Sequence, residues 1–330
     1  MKKVLMMACI GLVVAGAFTS CEGRKQSGTV RLRFANVTTE AGILAGEEFI
    51  RIAQEASGGT LVIDHFPRNQ LGNDVAQVEN TVVGDIDIAV SSTSSIAELF
   101  RDLFLFDMPF LFTDHEHAHR MLDGEATRRL LDGMERIGLK GIAMWENGFR
   151  NFTNDKVAVR VPADVRGMTV RTMVNPLHLS AWQLFGANPT PMAFGELFTA
   201  LQQSTVDAQE NPLGIIDANN FQSVQRYISL TQHVYTPFIV VMNLKKYNSL
   251  TDQQRAAIDR AARESTIFQR ERALEDEIAI REKFMSEGVN VVELTPAEKT
   301  QWRNLIINSE LINMVRDRMD NPQLLDAFID

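Results

Sequence analysis

An α/β fold in two lobes is what this sequence predicts, and three observations carry the prediction. Short alternating apolar runs take turns with helical periodicity in the order βαβαβ, the alternation that produces a parallel sheet with helices on its faces. A second series of the same kind begins near residue 140. A highly charged run after Thr251 then continues without Pro or Gly for roughly 36 residues, longer as a helix than a single small lobe is wide.

Val30, Leu32 and Phe34 alternate with Arg31 and Arg33, the period of a half-buried strand. Residues 40–57 place Ile43, Leu44, Phe49, Ile52, Ala53 and Ala56 at helical spacing and stop at Gly58-Gly59. Strands follow at 61–66 and 86–90, with a helix at 73–83 between them. After a helix over 115–137, strands are expected at 142–145, 168–173 and 206–209, with helices near 177–185 and 195–203. The apolar segment 239–242 comes too late for that second series, and a return crossing into the first lobe accounts for it. Thr251-Asp252-Gln253-Gln254 has the form of a capping box, and Gly288 is placed to end the long helix. A strand at 289–294 precedes a second capping box, Thr295-Pro296-Ala297-Glu298, and a last helical region to about Met319.

Of the 330 residues 45% are hydrophobic, enough for one or two cores, and the formal charge is -9. No basic stripe is available to displace counterions from a phosphate backbone, so a nucleic-acid partner is not expected. The negative field repels anions at long range, and an anionic ligand would need arginines placed locally in a cleft. Met1-Lys2-Lys3, the apolar run 4–18 and Thr19-Ser20-Cys21 read as an export signal over residues 1–20. The run is too short to cross a bilayer. The two cysteines are Cys9, inside the leader, and Cys21, at its end, which leaves the mature domain no internal disulfide. Phe18-Thr19-Ser20-Cys21 resembles a bacterial lipobox, with Phe18 where Leu is usual, so Cys21 is the expected lipid anchor and residues 21–29 its tether. An ordinary signal-peptidase site beside an incidental cysteine is the alternative.

His115-Glu116-His117-Ala118-His119 fits H-E-x-x-H literally, a pattern that on a helix can bind zinc through His115 and His119 and leave Glu116 as general base. The five-residue match is only moderately specific, and its flanks suit an exposed helix start; a zinc-dependent hydrolase is the remote alternative. No G-x-S-x-G, Walker A or G-x-G-x-x-G sequence occurs, and neither an enzyme activity nor a cofactor is expected. Two arginines at predicted strand ends carry more weight. Arg150 lies in Asn147-Gly148-Phe149-Arg150-Asn151-Phe152-Thr153-Asn154, and Arg171 ends Gly167-Met168-Thr169-Val170-Arg171. Open α/β sheets bind ligands at the carboxyl ends of their strands, and a guanidinium fork can grip a carboxylate with two parallel hydrogen bonds. Each arginine could equally form a surface ion pair.

At these residues the chain resembles the extracytoplasmic solute receptors of the tripartite ATP-independent periplasmic (TRAP) transporters, the DctP-like family. The resemblance runs from Val30 to the last helices and rests on blocks in a shared order. They are Phe66-Pro67-Arg68-Asn69-Gln70-Leu71-Gly72, Gly84-Asp85-Ile86-Asp87-Ile88, the two arginine blocks, and Phe194-Gly195-Glu196-Leu197-Phe198-Thr199-Ala200-Leu201-Gln202-Gln203 leading to Val206-Asp207-Ala208-Gln209-Glu210-Asn211-Pro212. Ser204-Thr205 departs from the glycine usual before the Val-Asp pair.

The resemblance implies a two-lobed periplasmic-binding-protein-like fold, with strands crossing between lobes and a long helix spanning both. Residues 30–147 with about 236–275 would form lobe I, and 148–235 with about 276–330 lobe II. It implies that Arg171 makes the bidentate carboxylate contact, with Arg150 as a second cationic contact, Asn211 hydrogen-bonding nearby, and Phe194 and Asn175 beside the ligand. Asn73 and Ser92 are the expected contacts from the first lobe. The implied ligand is a small organic acid, a hexuronate or aldonate first, with sialic acid or a C4 dicarboxylate as the alternative. The implied partners are the subunits of a TRAP membrane permease, approached from a lipid-anchored position in the periplasm; a membrane sensor in place of a permease stays open.

Overall fold

The computed structural model describes residues 28–329, so the leader and Cys21 lie outside the described residues. Eleven strands are formed among them. These are β1 (Val30–Ala35), β2 (Leu61–Phe66), β3 (Ile88–Ser92), β4 (Leu139–Phe149), β5 (Asn151–Asn154), β6 (Thr169–Thr172), β7 (Asn188–Pro191), β8 (Ala208–Asn211), β9 (Tyr227–Leu230), β10 (Tyr235–Asn243) and β11 (Asn290–Glu293). They pair into two sheets, β2-β1-β3-β10-β4 and β11-β9-β5-β8-β6-β7. This is the two-lobed α/β architecture the alternation predicts.

In the first sheet β1 runs parallel to β2 and β3, as the βαβαβ order requires. The late apolar segment becomes β10, which returns to this sheet and pairs antiparallel with both β3 and β4. Its nine residues are all buried, the pattern of a strand covered on both faces. In the second sheet β7 contains Pro189 and Pro191 and takes the edge, where a missing N–H costs no ladder bond.

Chain crossings connect the two sheets. β4 passes through Arg150 directly into β5, and β9 returns through residues 231–234 into β10. The two crossings are bonded to each other where Arg150 N donates to Val234 O at 2.8 Å. The third tie is the long helix, Asp252–Ser286, 35 residues or about 50 Å. Both halves of its capping box form: Thr251 Oγ1 accepts from Gln254 N, and Gln254 Oε1 accepts from Thr251 N at 3.0 Å. It packs on helix Glu40–Ala56 and on β4, then reaches helix Leu213–Ala218 and β11. The charged face hides two anchors, since Gln269 and Arg270 are buried. The Gln269 amide brackets the backbone N–H and C=O of Glu146, and Arg270 Nη2 donates to Met144 O at 2.9 Å.

Some boundaries depart from expectation for local reasons. The helix expected over 115–137 is broken into His115–Leu122 and Glu125–Gly133, with a 3₁₀ turn at Met134–Ile137. Gly124 interrupts it in extended conformation and caps the second helix. The third strand starts at Ile88, and Asp85 and Ile86 before it are tied to the end of the preceding helix, their N–H groups donating to Asn80 O at 2.9 and 3.1 Å.

Candidate functional site

A cavity of about 280 Å³ opens at the carboxyl ends of β3, β6 and β8, lined from both lobes. Of the seven ligand residues expected from the sequence, it brings together Arg171, Arg150, Asn211, Phe194, Asn73 and Ser92.

Arg171, on β6, is 1% exposed. Its Nε and Nη2 donate to the carbonyl of Met192 at 3.1 and 2.8 Å, which fixes the plane of the guanidinium. Phe194 lies beneath it, ring centroid 5.9 Å from Cζ. Nη1 is buried with no hydrogen-bond partner among the described residues. Burial pulls this guanidinium down to about 10, against the opposing field of Glu210, and it remains fully charged at neutral pH. A buried cation with an unpaired donor is costly unless an anion meets it.

Arg150 is equally buried but already partnered. Nε donates to Glu210 Oε2 at 2.5 Å, and Nη2 donates to Glu210 Oε1 and to Asn211 Oδ1, each at 2.9 Å. Asn211 is accordingly engaged on both ends of its amide, since Nδ2 donates to Gln209 Oε1. Arg150 Nη1 makes no hydrogen bond among the described residues and is the part of this group left to face the cavity. Burial alone would push the Glu210 carboxyl up; the charge of Arg150 and the hydrogen bonds of His178 and His233 outweigh it and hold the group well below its ordinary range. The same burial lowers His233, whereas Asp107 and Glu210 overcome it at His178 and raise that imidazole.

Two further residues that line the cavity each hold a buried polar atom without a partner among the described residues, Ser92 at Oγ and Asn147 at Oδ1. Ser92 ends β3, where its N–H donates to Asp74 Oδ2 at 2.9 Å. Asn73 caps helix Asp74–Val83 by accepting from Ala76 N at 3.0 Å. Asp74 also lines the cavity, and burial raises its carboxyl despite hydrogen bonds from Ser92, Ser91 and Ser95.

Asn175 is placed elsewhere. It caps helix Pro176–Leu184 through Leu177 N, and its Nδ2 donates to Ser94 O and Asp107 Oδ2 at 3.1 and 2.7 Å, so it holds the wall from behind without lining the cavity. Asn147, like Asp74, is a polar wall residue that sequence reasoning passed over. The pairing of β4 with β10 shifts register there, Gly148 opposite Thr236 and Glu146 opposite Pro237, so Asn147 is the extra residue of a bulge. Bulges re-aim side chains next to binding sites, and a glycine inside a strand pattern was the available signal.

The H-E-x-x-H segment does form a helix start, with Asp114 as its cap. His115 and His119 share a face, ring centroids 6.3 Å apart, but Glu116 is exposed. The carboxylates that meet the pair are Glu146 from β4 and Glu277 from the long helix. Burial opposes charge on His115, yet these two carboxylates raise it to about 10; the histidines in turn bring buried Glu146 down to about 2.

Sequence and structure comparisons place the chain among known proteins. The chain is 35% identical over 318 residues to the 2,3-diketo-L-gulonate-binding periplasmic protein of Escherichia coli K12, covering 96% of both chains. Its fold matches the sugar acid binding protein of Advenella mimigardefordensis in complex with galactonate, with TM-score 0.86, 32% identity and coverage of 91% and 98%. It also matches a TRAP periplasmic solute binding protein of Roseobacter denitrificans with bound β-D-glucuronate, with TM-score 0.84, 28% identity and coverage of 91% and 99%. No helix among the described residues is long and apolar enough to cross a membrane. The model of bacterial extracellular solute-binding proteins, family 7, spans residues 35–309, and the chain belongs to this DctP family.

Proposed function

We propose that the chain is the receptor of a TRAP-type permease and that it binds a hexuronate or an aldonate, with the carboxylate on Arg171. The observation that carries the reading is the set of unpartnered buried atoms, Arg171 Nη1, Ser92 Oγ and Asn147 Oδ1, on three residues that line one cavity. A carboxylate satisfies the first, and hydroxyls satisfy the other two. Because Arg150 is neutralised by Glu210, the cavity offers one uncompensated guanidinium, which favours a monocarboxylate over a C4 dicarboxylate. A volume of about 280 Å³ is that of about nine water molecules, room for a six-carbon acid sugar. The sugar acids bound by the relatives support the same class.

Thermal-shift screening against hexuronates, aldonates, sialic acid and dicarboxylates tests the reading. A hexuronate or aldonate at a hundred times its dissociation constant should stabilise the protein by about 2.7 kcal/mol. A larger shift with succinate than with every sugar acid would defeat the assignment.

The anchor at Cys21 and the division into lobe I (residues 30–147 and about 236–275) and lobe II (148–235 and about 276–330) belong to the same proposal. Cys21→Ala is expected to move the protein from the membrane to the soluble fraction of cells; equal membrane association of the variant would refute the anchor.

A further inference from the structure

One cluster outside the ligand cavity brings together metal-ligating side chains that sugar-acid binding does not use. His115 and His119, one turn apart on helix His115–Leu122, meet Glu146 of β4, with one ligating atom from each within 4.8 Å of the others. Glu146 is 3% exposed. Its Oε1 and His115 Nδ1 are both buried without a hydrogen-bond partner, although they stand 3.5 Å apart. That separation is close to the edge of a tetrahedron whose central ion sits about 2.0–2.2 Å from nitrogen and oxygen ligands.

The surroundings are those of a ligand set held in place from outside. Glu277 Oε2 lies 3.4 Å from His115 Nε2, the arrangement that fixes a ring's tautomer and leaves Nδ1 to the ion. Tyr235 donates its hydroxyl to Glu146 Oε2 at 2.7 Å. His119 Nε2 is 2.5 Å from the same oxygen, so an ion needs only a small adjustment of that ring to engage all three groups. A second cavity, about 320 Å³, has Glu146 and Glu277 in its wall.

We propose that His115, His119 and Glu146 form a binding site for one divalent transition metal of the zinc class, against β4 and separate from the ligand cavity. Two imidazoles and a carboxylate select such an ion over magnesium or calcium, which prefer all-oxygen sets. The site is a brace: it joins helix His115–Leu122 to the crossing strand β4 and, through Glu277, to the long helix. Glu116, the residue an H-E-x-x-H hydrolase uses as base, is exposed and has no part in it.

The test is titration of tag-free, chelator-stripped protein with Zn²⁺ and with Co²⁺. One equivalent of metal should bind, and the Co²⁺ form should show the visible absorption of a four- or five-coordinate ion. His119→Ala and Glu146→Gln should each weaken binding more than about a hundredfold, and Glu277→Gln about ten- to a hundredfold. His117→Ala, on the same helix, should bind as the parent does. No saturable uptake by the parent protein would overturn the proposal and leave the cluster as histidine–carboxylate ion pairs. Undiminished binding by His119→Ala would overturn it as well. Should Glu146→Gln fail to fold, the partly exposed His115→Ala decides the matter by the same criterion.

Discussion

Arg171→Ala is expected to lower sugar-acid affinity at least about a hundredfold, or about 2.7 kcal/mol, while leaving the fold intact. A net charge-assisted hydrogen bond is worth about 1.5–3 kcal/mol, and the guanidinium fork would offer more than one. The variant also leaves the ligand's carboxylate in a cavity whose other guanidinium is already tied to Glu210. Stability should respond differently. Arg171 is a buried cation with one donor unpaired, held by the Met192 carbonyl and the Phe194 ring with no ion-pair partner among the described residues. Its removal therefore takes away a desolvation cost together with two hydrogen bonds, and the melting temperature of the ligand-free variant should stay close to that of the parent. Arg171→Lys should bind nearly as poorly as the alanine variant, because a point charge on a flexible stem cannot keep the Met192 contact and present a planar fork together. Calorimetry that found near-parental affinity in either variant would remove the clamp from the mechanism.

How far the site could be read from the residues depends on whether a side chain acts through its own position or through the shape of the backbone. Val30, Leu32 and Phe34 alternate because one face of β1 is buried, and β10 is uniformly apolar because it is covered on both faces; such patterns survive in one dimension. The capping boxes at Thr251 and Thr295 are equally local, and both form. Arg171 was legible since a strand end in an open α/β sheet points to the crevice. Asn147 was not, because it enters the cavity only through a bulge between two strands distant in sequence. Asn175 misled for the opposite reason: an asparagine before Pro176 suits a helix cap as well as a pocket, and the cap took it. β5, β7 and β9 are four residues each, and two of them carry polar or proline residues throughout much of their length, too little pattern to separate from loop. Glu210 stood in plain view within the Gln-Glu-Asn-Pro block, but its partner is 60 residues away, and only the folded chain shows that it neutralises Arg150.

Glu210→Ala should be the most destabilising single change near the site, by about 3–5 kcal/mol, the usual cost of removing one partner of a buried ion pair. Glu210 is fully buried on β8 and meets Arg150 at the crossing from β4 to β5, His233 at the crossing from β9 to β10 at 3.2 Å, and His178 at 3.8 Å. One carboxylate thus fastens both strand crossings, and its loss leaves the Arg150 charge in a dry environment between them. Replacing both partners, Arg150→Met with Glu210→Leu, should recover much of the stability, since an apolar pair of similar volume carries no desolvation cost. Ligand affinity should not recover with it, because Arg150 Nη1 is lost from the cavity wall. The pH dependence has a definite sign. The folded-state pKa of Glu210 lies well below its ordinary value, so its contribution is complete above about pH 4.5 and is lost as pH falls below that value. The stability gap between the parent and Glu210→Gln, measured by urea titration, should accordingly be widest near neutrality and shrink in acid. A gap that stayed constant from pH 7 to pH 3 would show that the carboxylate's charge does not hold the two crossings together.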